Sequence, residues 1–172
     1  METIFVIKVG GNVVDNDAML QSFLKNVAAM AQKKRLVHGG GMMATTQFAS
    51  FQANPCNAIG LPGADANIIP AVKRPVADID YGFVGDIKYD SVGVNNLQIF
   101  LNNNLVPVIA PLTHDGNGQL LNTNADTIAS ALAVALSKQY AVRLIYCFEK
   151  KGVLENMDDD DSVIPLINKT KY

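Results

Sequence analysis

The stretch Ile4-Phe5-Val6-Ile7-Lys8-Val9-Gly10-Gly11-Asn12 constrains this chain more than any other. Five of its first six residues are apolar, and most of these are β-branched or aromatic, which predicts a buried strand. Lys8 interrupts the run near its carboxyl end, and two glycines follow. A buried ammonium is costly unless an anion meets it. Consecutive glycines let backbone N–H groups come close to a ligand. Strand, lysine, glycine pair and helix is how an α/β protein presents positive charge to a phosphate at its sheet edge. The competing reading is a strand that ends in an exposed lysine and a tight turn.

The 172 residues suit one domain with ample core: 49% are hydrophobic and only 17% charged. Aromatics are 7% and tryptophan is absent, so Val, Ile, Leu and Ala must fill the interior, as in a parallel sheet covered by helices. A net charge of −2 gives no electrostatic case for nucleic acid or an anionic membrane. No segment is long and apolar enough to span a bilayer, and the amino terminus lacks the pattern of a signal peptide. The two cysteines, Cys56 and Cys147, have no metal-ligand spacing and suit a reducing compartment. These features together predict a cytoplasmic location.

Along the chain, Leu20, Phe23, Leu24, Val27 and Ala31 repeat at helical spacing, with Asp15, Asn16 and Asp17 as candidate caps and Lys33-Lys34-Arg35 as a basic end. A second strand, Leu36-Val37-His38, runs into Gly39-Gly40-Gly41. If it is a parallel neighbour of the first, both glycine ends face one crevice. Met42 to Asn54 is ambiguous. Cys56 to Leu61 is expected as a strand, and Asn67 to Arg74 pairs with Tyr81 to Asp86 as a hairpin. Ser91 caps a helix carrying Val94, Leu97, Phe100 and Leu101. Val106 to Ala110 is a buried strand, and Asp115-Gly116-Asn117-Gly118 is a hairpin turn. An Ala-rich helix runs from Thr127 to about Ser137, and a last strand from Val142 to Phe148. Asp158 to Asp161 reads as a solvated loop, because adjacent residues cannot all turn to one ion. His114 beside the turn is expected in solvent, and His38 as structural. The alternation of strands and helices predicts an α/β fold, a three-layer α/β/α sandwich with a mainly parallel central sheet.

Neither G-x-x-x-x-G-K-[ST] nor G-x-G-x-x-G occurs. The candidate chemistry lies in Lys8-Val9-Gly10-Gly11, His38-Gly39-Gly40-Gly41 and Asn122-Thr123-Asn124-Ala125-Asp126. Each segment falls at an expected strand or helix end. Together they supply a cation, two backbone concavities, two amides and a carboxylate. Phosphoryl transfer needs little more than positioning and positive charge on the oxygens that gain charge. Asp126 is suited to orienting a lysine ammonium, although it also suits a plain helix N-terminus.

These three segments, in this order, resemble the signature motifs of the amino-acid kinase family. Asn57-Ala58-Ile59-Gly60-Leu61, Gly82-Phe83-Val84-Gly85-Asp86-Ile87 and Val106-Pro107-Val108-Ile109-Ala110-Pro111 resemble its members that phosphorylate an N-acylated glutamate. The resemblance implies transfer of the ATP γ-phosphoryl group to the side-chain carboxylate of such a substrate, N-acetyl-L-glutamate first and N-succinylglutamate as the alternative. It implies that Lys8 stabilises the migrating group and Gly11 contacts phosphate through its backbone. Gly40 and Gly41 would bind substrate, Asn122 its α-carboxylate, and Asp126 would organise the lysines. Glu149, Lys150, Lys151, Gly152, Val153 and Leu154 would border the nucleotide. Magnesium would enter with ATP, held mostly by phosphate oxygens. A homodimer is implied as well.

The chain also departs from the family pattern. Members carry a long insert with a substrate-binding arginine after the three-glycine motif. Here only Met42 to Cys56 separates Gly41 from the next strand, without an arginine. Members also continue past the position of Tyr172 with a second catalytic lysine. The expectation is therefore one kinase domain over residues 1–172 with segments missing after Gly41 and after Tyr172. The departures leave open a non-catalytic, ligand-binding or regulatory member of the same fold.

Overall fold

The computed structural model describes residues 1–39 and 56–168. In chain order its elements are β1 (Thr3–Val9), α1 (Gly11–Val14), α2 (Asp17–Ala29), β2 (Lys33–His38), β3 (Ala58–Pro62), β4 (Ala71–Lys73) and β5 (Gly85–Ile87). They continue with α3 (Val94–Asn102), β6 (Val106–Ala110), β7 (Leu112–His114), β8 (Leu120–Asn122), α4 (Ala125–Leu136) and β9 (Ala141–Cys147). Five strands form one sheet in the order β3-β6-β2-β1-β9, and every pair is parallel.

Side-chain alternation along these strands sorts the core into two layers. On one face Val6, Val37 and Ile109 pack with Leu97 of α3 and with Ile128, Leu132 and Leu136 of α4. On the other face Ile7, Val9, Leu36 and Val108 pack with Val13, Leu20, Phe23 and Leu24 of α1 and α2. The three layers follow from strands that are apolar on both sides. β1 lies next to the edge strand, flanked by β2 and β9, so whatever it carries at its carboxyl end has a strand on both sides.

Two short antiparallel hairpins, β4–β5 and β7–β8, close on each other above α4. Bridges at Pro70 with His114 and at Val84 with Asn122 join them, and the Asn122 N–H donates to the Phe83 carbonyl at 2.8 Å. Thr113 and Thr123 are buried between the hairpins, their hydroxyl oxygens 2.8 Å apart. Gly85 faces the same interior. A Cβ there would lie 2.9 Å from Leu121 Cβ and from both threonine hydroxyls, so only glycine admits the contact.

Several sequence expectations need correction. Lys33, Lys34 and Arg35 do not end α2. They begin β2, pairing with Ile4, Phe5 and Val6 of β1. Lys33 reaches Glu2 at 3.1 Å, Lys34 donates to the Met30 carbonyl at 2.7 Å, and Arg35 is buried under the α3/α4 layer. Of the three candidate caps, Asn16 takes the role, its side chain accepting from the Met19 N–H at 3.0 Å. Ser91 is no cap. It lies in the 3-10 turn Tyr89–Ser91, and its hydroxyl donates to the Lys88 carbonyl at 2.6 Å, while Gly93 precedes α3. The Ala-rich helix starts two residues before Thr127. His114 is half-buried rather than solvated, and its Nδ1 accepts from the Gly116 N–H at 3.0 Å. Met42 to Asn54 lies outside the described residues.

Candidate active site

The carboxyl ends of β1, β2 and β9 form one edge, and the chemistry-bearing residues collect there. Lys8 shares its face of β1 with Val6, which turns it toward α4. α4 starts beside it because Asn124 caps the helix, accepting from the Asp126 N–H at 2.8 Å and the Thr127 N–H at 3.1 Å. The cap fixes Asp126 in the first turn. Lys8 Nζ meets Asp126 Oδ1 at 2.9 Å, with the Lys8 side chain 16% exposed and that of Asp126 54% exposed. A mostly buried ammonium thus has one carboxylate partner on its open side, and the carboxylate keeps a solvent-facing surface.

Backbone pairing continues past the strands. The Gly10 N–H donates to the Cys147 carbonyl at 2.8 Å and the Gly39 N–H to the Val9 carbonyl at 3.1 Å. Gly11 then opens α1 across from Gly39. A Cβ at Gly11 would lie 3.7 Å from the Gly39 carbonyl oxygen, an ordinary contact, so packing within the protein does not require a glycine there. The Asn12 amide donates to Glu149 Oε1 at 2.8 Å, tying the glycine turn to the residue just past β9. That bond, after one from Glu149's own backbone N–H, holds the Glu149 carboxyl below the ordinary glutamate range.

Asn122 ends β8, one residue before the buried Thr123, with an exposed side chain. Lys150 and Lys151 follow Glu149 in the loop past β9. They pair with Asp160, at 2.5 Å, and with Asp161. The acidic loop is therefore held by ion pairs rather than simply solvated. Behind it, Val153 and Leu154 pair with Ile164 and Val163 in a small hairpin. A Cβ at Gly152 would lie 2.7 Å from Val163 Cγ1. Of the residues picked from sequence, the structure brings Lys8, Gly11, Asp126 and Glu149 to one edge. Asn122 stands at the base of the hairpin pair beside it. Gly40 and Gly41 lie outside the described residues. Sequence reasoning missed Asn12 and Tyr146. Asn12 carried a signal, being the only polar side chain right after the glycine pair.

A parallel α/β sheet with a lysine and glycine turns at its carboxyl edge, facing a capped acidic helix, defines a phosphotransferase-type site. The model of the amino acid kinase family matches residues 40–172, and the chain belongs to that family. Its sequence is 47% identical over 210 aligned residues to acetylglutamate kinase of Cytophaga hutchinsonii, covering 100% of this chain and 79% of the relative. It is 44% identical to acetylglutamate kinase of Bacteroides thetaiotaomicron, covering 99% and 80%. Because 210 positions align with a chain of 172, the first relative carries residues inside the matched span that this chain lacks.

Among solved structures, smu.665 of Streptococcus mutans is 25% identical with a TM-score of 0.70, covering 89% of this chain and 75% of that one. N-acetylglutamate synthase of Neisseria gonorrhoeae, in complex with coenzyme A and N-acetyl-glutamate, superimposes with a TM-score of 0.74 at 17% identity. That alignment covers 94% of this chain and 44% of the synthase, and the likeness is one of fold.

Proposed function

We propose that this protein is an acetylglutamate kinase: it transfers the γ-phosphoryl group of ATP to the side-chain carboxylate of N-acetyl-L-glutamate, the acyl-phosphate step of arginine biosynthesis. Identity of 40–47% to acetylglutamate kinases over essentially the whole chain supports this. The observation that carries it is the Lys8–Asp126 pair at the carboxyl end of β1.

A carboxylate oxygen of the substrate attacks the γ-phosphorus, the bond to the β–γ bridging oxygen breaks, and ADP leaves. Negative charge accumulates on the oxygens around the migrating group. The Lys8 ammonium, held in place by Asp126, supplies compensating charge without having to reorganise. The bare backbone at Gly11 allows a phosphate to approach where a side chain would stand. Asn122 binds the substrate α-carboxylate, Gly40 and Gly41 bind the acyl amino acid, and Glu149 to Leu154 border the nucleotide. Magnesium would come in on the phosphate oxygens of ATP. Residues 1–172 belong to one kinase domain with further segments after Gly41 and after Tyr172, which works as a cytoplasmic homodimer.

An assay with ATP, magnesium and N-acetyl-L-glutamate, trapping the acyl phosphate with hydroxylamine, tests this. The expected result is a hydroxamate that requires both substrates. If N-succinylglutamate is preferred, the acyl group is wrong. Calorimetric binding of ATP and N-acylglutamate without turnover would mark a regulatory member instead, and neither binding nor turnover would reject the reading.

A further inference from the structure

We propose that Tyr146 is a positioning residue for phosphoryl transfer, acting by holding the first turn of α4 so that Asp126 stays opposite Lys8; this rests on the kinase reading above. Three observations meet at this residue. Tyr146 is the register partner of Lys8 on β9, so the two side chains rise next to each other on the α4 face of the sheet. Its hydroxyl lies 2.9 Å from the Ser130 hydroxyl, and it donates to the Asp126 carbonyl at 3.5 Å. Ser130 is one helical turn beyond Asp126. One phenol therefore bridges β9 to the first and second turns of α4.

The bridge acts on the open side of this turn. Asn124 fixes the N–H groups of Asp126 and Thr127 from the loop side. Ala125, Ile128 and Ala129 hold the inner side in the core, and the phenol adds a tie on the side that carries Asp126. β9 is a sheet edge, paired with β1 alone among the described strands. The Tyr146 ring is 38% exposed, too open for its main contribution to be burial. The phenol ties the Asp126 turn to the strand beside Lys8. Tyr146 does not itself reach Lys8 Nζ, so its effect passes through Asp126.

The test is Tyr146→Phe, which keeps the ring and removes the hydroxyl. kcat should fall about three- to tenfold, with KM for ATP and for N-acetyl-L-glutamate within about twofold of wild type. Ser130→Ala, which leaves the bond to the Asp126 carbonyl, should give a smaller loss, and the double variant should lose no more than Tyr146→Phe alone, since that change already removes both contacts. The thermal midpoint should stay within about 2 °C of wild type. Independently of turnover, amide hydrogen exchange over residues 124–130 should speed up in Tyr146→Phe and remain unchanged in β1 and α2. An unchanged kcat, a loss that multiplies in the double variant, or unchanged exchange over residues 124–130 overturns the proposal. Absence of wild-type turnover would reject the kinase reading instead, and the exchange measurement would still decide whether Tyr146 holds the turn.

Discussion

Lys8 Nζ and Asp126 Oδ1 meet at 2.9 Å although they stand 118 positions apart in the chain, across the seam between β1 and the start of α4. Asp126 is more than half exposed, so the pair contributes at most about 1 kcal/mol to stability. Its effect on the reaction should be far larger. Lys8→Ala should lower kcat by about a hundred- to a thousandfold, the loss seen when one preorganised donor is removed. Asp126→Asn keeps the size of the side chain but lets the ammonium wander, and should cost about tenfold to a hundredfold. Both variants should unfold within about 1 kcal/mol of wild type in urea. Steady-state kinetics next to urea denaturation check this; loss of fold in step with loss of rate would make the pair structural.

Gly85→Ala should destabilise the protein by about 1–3 kcal/mol, the usual cost of overpacking a filled interior. The added methyl would stand 2.9 Å from Leu121 Cβ, Thr113 Oγ1 and Thr123 Oγ1. None of these can retreat without breaking the Thr113–Thr123 bond or parting the two hairpins. Chemical denaturation reads the change. A difference below about 0.5 kcal/mol would mean the hairpin pair is looser than its contacts indicate.

Arg35 is fully buried, and its three guanidinium nitrogens have no hydrogen-bond partner among the described residues. Burial lowers its pKa to about 10, well above neutrality, so it remains a cation inside an apolar layer. Replacing it with a side chain of similar length and no polar atoms should help. Arg35→Met is expected to raise stability by about 1–3 kcal/mol at neutral pH, by relieving unmet donors. Urea denaturation of the two proteins checks it, and a less stable variant would show that the guanidinium has an anion to meet.

Asp86 lies against Arg74, with Arg74 NH2 2.6 Å from Asp86 Oδ1, and this bond holds the Asp86 carboxyl below the ordinary aspartate range. A carboxyl lowered on folding stabilises the native state above its unfolded value. That contribution is lost as pH falls through the folded value. The hairpin carrying Phe83, whose carbonyl accepts from Asn122, should therefore loosen in acid. Carboxyl-carbon NMR titration should place the Asp86 midpoint below the ordinary range in wild type and return it there in Arg74→Ala. Equal midpoints would show that the pair does not form in solution.

Much of this was legible in the sequence, and the reason is physical. Val106 to Ala110 read as a strand because a buried parallel strand is an uninterrupted apolar run, and the structure has those bounds. Lys8 stood out because a charge inside such a run must be compensated. Lys33-Lys34-Arg35 misled because basic residues also suit a helix end. Their place in β2 depends on Glu2 and the α3/α4 layer, both distant in sequence, and on the Met30 carbonyl nearby. Tyr146 gave no local signal, since its importance depends on strand register and on a helix turn that precedes it by 20 residues.

Lys150 and Lys151 provide the sharpest test of the nucleotide side. Each already holds an aspartate of the following loop, Asp160 or Asp161. If the lysines meet ATP phosphates, the aspartates compete for the same ammonium groups. Asp160→Asn with Asp161→Asn should then tighten ATP binding several-fold at low salt, and the gain should shrink as screening grows near about 0.5 M salt. The double substitution should leave stability nearly unchanged, because these ion pairs are exposed. Lys150→Ala with Lys151→Ala should weaken ATP binding and make the aspartates irrelevant, so the quadruple variant should match the lysine variant. Calorimetric titration with a non-hydrolysable ATP analogue at two salt concentrations gives all three comparisons. Equal affinities throughout would remove both lysines from the nucleotide site and leave them as the partners of an acidic loop.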